Sequence, residues 1–485
     1  MAVPQSLSRR EFLHWTGAFA AGGAAVARTA ARALAGPPKE KPNIIFILAD
    51  DLGYGDIGCY GQKRVQTPNI DGLAAEGMKF TDCYAGSTVC APSRSCLMTG
   101  QHCGHTIIRG NGRVPLRPED VTVAELLKQA GYATALIGKW GLGEEASTGI
   151  PTKQGFDYFF GYLNQHHAHN YYPAFLWRNE QKVQLKNVVP GTGKYGRGVA
   201  SEKVEYSHDL LAAEALKWVE KNKGGPFFLY FALTIPHANN EARNKGMEVP
   251  SYEPYAEKDW PDAQKGHAAM ITRMDRDIGR LMGLLKGLGI DGKTLVVFSS
   301  DNGPHREGGA DPNFFDSNGP LKGIKRDLYE GGIRVPGIAR WPGRIKAGAV
   351  SGHPWAFWDF LPTACEAAGV QPPENIDGVS FLPEMLGGKQ AARGFLYWEF
   401  HEGGGSSQAV RMGRWKGLRK SPTGPLELYD LTADVGEEKN VAADHADVVR
   451  KIETYLAGAR TESSHWPLRE RRKPPPKRKS PPKQT

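Results

Sequence analysis

Four apolar stretches of this chain each run into residues able to do chemistry. Residues 44–48 lead to Asp50-Asp51, 132–137 to Lys139, 226–233 to Pro236-His237, and 294–299 to Asp301-Asn302-Gly303. Singly, each has a plainer reading: paired aspartates cap a helix or make a turn, and a lysine is a solvated surface charge. A fifth segment, Cys90-Ala91-Pro92-Ser93-Arg94, continues through Thr99 to Gly100. Proline in the first turn and glycine past the last mark a short helix. Its cysteine thus stands where unpaired backbone N–H groups favour an anion. A sixth, Gln165-His166-His167-Ala168-His169-Asn170-Tyr171-Tyr172, holds three histidines and two tyrosines. It has no cysteine or acid at zinc-ligand spacing, so it reads as a structural loop or as the rim of a binding site.

The elements needed to position these groups are legible. The run 44–48 is continuous, as in a strand buried on both faces, and 226–233 and 294–299 follow the same grammar. Thr122 to Glu125 forms a capping box that opens a short helix, stopped by Gly131. Met270, Met274, Ile278, Leu281 and Leu285 keep the spacing of a helix stripe lying on a sheet, so these methionines are core. Strands alternating with helices predict an α/β fold: a large, mostly parallel sheet sandwiched by helices, with ligands bound beyond the carboxyl ends of its strands. Past residue 385 the pieces 395–400, 408–418 and 426–431, separated by Gly, Ser and Pro, predict a small C-terminal antiparallel subdomain.

The Cys90 pentapeptide, its continuation to Gly100, and IIFILADDLGYGD at 44–56 resemble the sulfatase family of the alkaline-phosphatase superfamily, among arylsulfatases and N-acetylgalactosamine-6-sulfatase-like bacterial sulfatases. Further matches run through DNGPH at 301–305 and YEGGIRVPGIARWPG at 329–343. The resemblance covers roughly residues 41–445 and implies that a formylglycine-generating enzyme converts Cys90 to Cα-formylglycine. One hydroxyl of the hydrated aldehyde attacks sulfur and the other expels sulfate. Asp50, Asp51, Asp301 and Asn302 match the metal ligands, and four hard oxygen donors suit calcium or magnesium better than zinc; calcium is expected. Arg94, Lys139 and Lys325 match the cations around the sulfate, Lys325 being fixed by its offset from Tyr329 in KRDLYEGG. His237 matches the histidine that contacts sulfate or assists the leaving group.

One position departs from the pattern. The family usually has GKWHLG, whereas residues 138–143 read Gly-Lys-Trp-Gly-Leu-Gly, so the base expected at 141 is missing. His305, after the DNG motif, is the nominated substitute; a surface-loop histidine is the competing reading. The resemblance also makes the 165–172 block a substrate rim, with His166, His167, Tyr171 and Tyr172 facing a sulfated carbohydrate. His102-Cys103-Gly104-His105 is assigned no metal. The implied activity is hydrolysis of a sulfate monoester on a sulfated carbohydrate. The alternatives are a phosphatase or phosphonate hydrolase on the same scaffold, or a sulfated-glycan binding protein that has lost turnover with its base.

The formal charge of +9 is concentrated at the ends. Residues 1–35 carry a net +3, and residues 466–485 set eight Lys and Arg against Glu470, which leaves the body near neutral. That argues against a nucleic-acid partner. Ser8-Arg9-Arg10-Glu11-Phe12-Leu13, a short apolar stretch and Ala33-Leu34-Ala35 read as a twin-arginine signal over 1–35. The twin-arginine translocase is then a partner and the protein is periplasmic or secreted, with no stable membrane insertion. The expected organisation is a catalytic domain over 36–385, a C-terminal subdomain over 386–465, and a disordered basic, Pro-rich tail over 466–485.

Overall fold

The computed structural model describes residues 41–191 and 195–470. The signal expected at 1–35 and the basic stretch from 471 onward lie outside the described residues.

Asn43–Asp50 lies inside a ten-stranded sheet. Its five inner strands are parallel, in the order Tyr158–Tyr162, Ala133–Lys139, Phe227–Pro236, Asn43–Asp50 and Thr294–Ser300. Antiparallel pairing adds Gly337–Arg340 on one side and the Phe175–Arg178 and Gln181–Gln184 hairpin on the other.

Alternation along Asn43–Asp50 explains its unbroken apolar run. Ile44, Phe46 and Leu48 enter a core shared with the helices Cys90–Thr99, Val123–Gln129 and Phe360–Ala368. Ile45, Ile47 and Ala49 enter the opposite core, shared with Ser207–Asn222 and Asp262–Gly287. Burying each large aliphatic or aromatic side chain contributes roughly 1.5–3 kcal/mol, so both faces resist a polar substitution. The capping box forms as read: Thr122 Oγ1 accepts from the Glu125 N–H at 3.2 Å, and Glu125 Oε2 accepts from the Thr122 N–H at 2.7 Å. Met270, Met274, Ile278, Leu281 and Leu285 are all buried on Asp262–Gly287.

Parallel pairing brings the carboxyl ends of the inner strands to one edge. Asp50 pairs with Pro236, Ala49 with Ser300, and Lys139 with Tyr162. The polar residues that follow these strands therefore converge.

The C-terminal subdomain is a four-stranded antiparallel sheet, Leu396–Phe400, Ser407–Met412, Trp415–Arg419 and Leu426–Asp430, packed against the helix Ala446–Leu456. The expected single piece at 408–418 is corrected to a hairpin. Met412 pairs with Trp415, and Gly413 turns the chain at φ 59°, a conformation that glycine enters without steric cost. Trp398 joins the subdomain to the main body: its indole donates to the Ala85 carbonyl at 2.9 Å and packs on Tyr84 and Trp358. At the start of the expected tail, Trp466 donates to the Ile107 carbonyl at 2.9 Å and its ring lies over Gly110 and Gly112. Among the described residues, no helix is long and apolar enough to cross a membrane.

Candidate active site

Cys90 is the first residue of Cys90–Thr99, which follows an extended Val89 and closes at Gly100 with φ 69°. Its Sγ is buried, 3.4 Å from Asp50 Oδ1. Burial, then the charges of Asp301 and Asp50, hold the thiol well above its usual range. An unconverted Cys90 is therefore protonated and a poor nucleophile.

Three carboxylates and three cations interlock around it, all buried. Lys139 Nζ donates to Asp50 Oδ2 at 2.7 Å, and Lys325 Nζ to Asp51 Oδ2 at 2.7 Å. Arg94 clasps Asp301 Oδ2 through Nε at 3.0 Å and Nη2 at 2.7 Å, while its Nη1 donates to the Lys139 carbonyl at 2.8 Å. Arg94 lies one helical turn beyond Cys90, so one short helix supplies both the cysteine and a fixed cation. Even with this pairing, burial and the nearby Asp50 raise the carboxyl of Asp301 above its usual range.

The residues present fit a hard cation. Asn302 Nδ2 donates to Asp51 Oδ1 and to the Gly303 carbonyl, and the buried Asn302 Oδ1 has no partner. Ligand atoms of Asp50, Asp51, Cys90 and His237 all lie within 4.8 Å of one another. Two of these are carboxylates, and with Asp301, whose Oδ1 accepts from the Asp51 N–H, and the unused amide oxygen of Asn302, the oxygen donors have the chemistry of a calcium site. Asp51 adopts φ 64°, a left-handed conformation that aspartate tolerates better than most residues.

His237 follows the strand Phe227–Pro236. Its Nδ1 donates to the Ala238 carbonyl at 2.7 Å, which leaves Nε2 to accept from Lys325 Nζ at 3.1 Å. Burial, then Lys325 and Lys139, keep its pKa well below the usual range. The ring is neutral, with its Nε2 lone pair at the cleft.

Some expected site residues lie elsewhere. His305 is buried, but its Nε2 bonds the Pro236 carbonyl at 3.1 Å and its Nδ1 accepts from the Glu307 N–H at 3.0 Å. With both ring nitrogens held by the main chain, it shapes the wall behind His237 and has no free lone pair for a base. Of the four rim residues, only His166 lines the cleft. His167 packs between Tyr162 and Phe175, and burial pushes its pKa down to about 3. Tyr171 is a strut whose hydroxyl donates to the carbonyls of Thr234 and His237. Tyr172 packs on Tyr206. The cause is the tight turn His167–His169, which buries His167 and Ala168 and leaves His166 and His169 at the cleft. His102 and His105, to which the sequence assigns no site role, pair with Asp377.

The cleft also takes Asn111, Gln165, His169, Asn240, Arg326 and Glu402. Gln165 and His169 stand in the block singled out in the sequence, where nothing local distinguishes them from His167. Arg326 Nε meets Glu402 Oε2 at 3.0 Å, a pairing with no local sequence signal. Glu307 bridges Lys325 at 3.1 Å and Arg326 at 2.6 Å.

A family description named Sulfatase matches residues 42–370, most of the chain. The chain belongs to the sulfatase family. A second description, N-sulphoglucosamine sulphohydrolase, C-terminal, matches residues 323–462 of this sulfatase. It is 34% identical over 427 residues to the N-acetylgalactosamine-6-sulfatase of Sus scrofa, covering 83% of this chain and 76% of that one. It is 30% identical over 502 residues to the N-acetylgalactosamine-6-O-sulfatase of Bacteroides thetaiotaomicron, covering 88% and 94%. The solved structure of Ps i-CgsB in complex with k-i-k-neocarrahexaose superposes with a TM-score of 0.74 at 30% identity, over 88% of this chain and 95% of that one. The sulfatase is thus a sulfuric ester hydrolase, and the expected fold class holds.

Proposed function

We propose that this sulfatase hydrolyses a sulfate monoester on a carbohydrate, with Cys90 as its formylglycine residue and calcium held by Asp50, Asp51, Asp301 and Asn302. The observation that carries this reading is the convergence of Cys90, at a helix N-terminus, with three buried carboxylate–cation pairs. The carbohydrate class is supported by the names of the relatives, which act on N-acetylgalactosamine 6-sulfate, and by the neocarrahexaose complex.

The hydrated aldehyde would supply the attacking hydroxyl and the one that expels sulfate, and calcium would supply positive charge that lowers the pKa of the attacking hydroxyl. The chain's own residues do the rest. Lys139 and Lys325 are aimed so that an incoming sulfate can take hydrogen bonds they now share with Asp50 and Asp51. Arg94 holds Asp301 rigid and keeps fixed charge beneath the reacting centre. His237, its Nδ1 proton committed to Ala238, offers the Nε2 lone pair, which must first take up the proton released by the attacking hydroxyl before handing it to the leaving sugar oxygen.

Export completes the proposal. Conversion of Cys90 by a formylglycine-generating enzyme, followed by passage through the twin-arginine translocase, is supported by the pentapeptide and by the paired arginines ahead of residue 35. The protein would then meet its sulfated carbohydrate in the periplasm or outside the cell.

The test is inorganic sulfate release by converted protein from 6-O-sulfated N-acetylgalactosamine and other sulfated sugars, with the matching phosphate esters in parallel. Faster turnover of a sulfated sugar is the expected outcome. Preference for the phosphate ester would move the assignment to phosphatase, and binding without turnover would make the chain a glycan-binding protein.

A further inference from the structure

Gly141, just past the strand Ala133–Lys139, has φ 81°, and its N–H donates to the Leu163 carbonyl at 3.0 Å. A methyl group placed on Gly141 would lie 2.0 Å from Gln165 Nε2 and 2.8 Å from Gln165 Cδ. The Gln165 carboxamide therefore fills the volume that any side chain at 141 would need. Its main chain is anchored beside a firm turn, in which Asn164 Oδ1 accepts from the His166 N–H at 2.7 Å and the His167 N–H at 3.3 Å. Yet both polar atoms of the Gln165 side chain are buried without a hydrogen-bond partner, in the cleft lined by Cys90, Lys139 and His166. A buried carboxamide with neither its donors nor its acceptor used is costly to keep, and a ligand in the cleft would satisfy it.

We propose that Gln165 is a substrate-contacting residue of this sulfatase, its carboxamide N–H donating to an oxygen of the bound sulfate ester in the space that Gly141 leaves open. This rests on the sulfatase reading. A carboxamide does not exchange protons in the working pH range, so Gln165 orients the ester and stabilises its charge without acting as a base.

The experiment measures kcat and KM on a sulfated sugar, and Kd for inorganic sulfate, with full-length converted enzyme, for wild type, Gln165→Ala and Gln165→Glu. Gln165→Ala should lower kcat/KM about 100-fold and weaken sulfate binding about tenfold, with a melting temperature no lower than that of wild type. Gln165→Glu should lose more at neutral pH, because a carboxylate repels the ester, and should recover as the pH falls toward ~4.3 and the introduced carboxyl takes up a proton. That acid limb is absent from wild type and would not arise from a merely structural role. Wild-type kcat/KM and sulfate affinity in Gln165→Ala, or a wild-type pH profile in Gln165→Glu, would overturn the inference. If wild type itself neither binds sulfate nor releases it from an ester, the sulfatase reading fails and takes this inference with it.

Discussion

Asn302 Nδ2 donates to Asp51 Oδ1 at 2.7 Å, and this bond leaves the buried Asn302 Oδ1 without a donor. An unsatisfied buried acceptor costs about 1–3 kcal/mol, a cost that a coordinated cation removes. Calcium should therefore raise the melting temperature, and strong chelation should lower it and abolish sulfate release. Asn302→Ala should weaken calcium binding at least tenfold by calorimetry. Equal affinity in the variant would take Asn302 out of the ligand set.

Arg94 compensates Asp301 at a depth that water does not reach. Arg94→Met removes one partner of a buried pair and should cost about 3–5 kcal/mol in urea unfolding. Arg94→Lys should recover little of this, because an ammonium cannot reproduce the paired Nε and Nη2 contacts. A loss below about 1 kcal/mol in Arg94→Met would mean that the pair is not the structural unit described.

If His237 passes a proton to the leaving oxygen, its removal should matter most where that oxygen is a poor leaving group. His237→Ala should slow hydrolysis of a sugar sulfate about 10²–10⁴-fold and that of a nitrophenyl sulfate much less. Equal losses on the two substrates would assign His237 to sulfate binding alone.

Glu399 ties the C-terminal subdomain to the main body. Burial alone would raise its pKa, but the His401 hydrogen bond and the guanidinium groups of Arg109 and Arg460 outweigh it and hold the carboxyl down at about 2, from 4.5. A depressed carboxyl binds its proton later in the folded state than in the unfolded one, so it stabilises the fold above pH ~4.5 and that contribution is lost as pH falls toward ~2. Stability by denaturant titration should decline across this window. In Glu399→Gln the decline should be shallower, from a lower starting stability; an unchanged slope would sink the assignment.

The strands that carry the site are legible in the sequence because burial on both faces demands an unbroken apolar run, and the run must stop where the chain meets the cleft. Asp50, Lys139, His237 and Asp301 are read from that rule together with the family pattern. The hairpin at Gly413 escapes because both of its strands have similar composition and the turn is two residues long. His167 and His166 are adjacent and chemically identical, and only the turn that follows decides which one faces the cleft. His305 looks like a base in sequence, whereas its lone pair is spent on the Glu307 N–H. The Arg326–Glu402 contact joins residues far apart in the chain, and chain folding alone brings them together.

The most direct test of the central claim is peptide mass spectrometry across Cys90 in mature protein from a host that makes formylglycine. The expected peptide carries an aldehyde where the cysteine side chain was, with the sulfur lost, and sulfate release should scale with the converted fraction. An intact thiol at Cys90, in a host that converts a control sulfatase, together with sulfate release undiminished in Cys90→Ala, would contradict it.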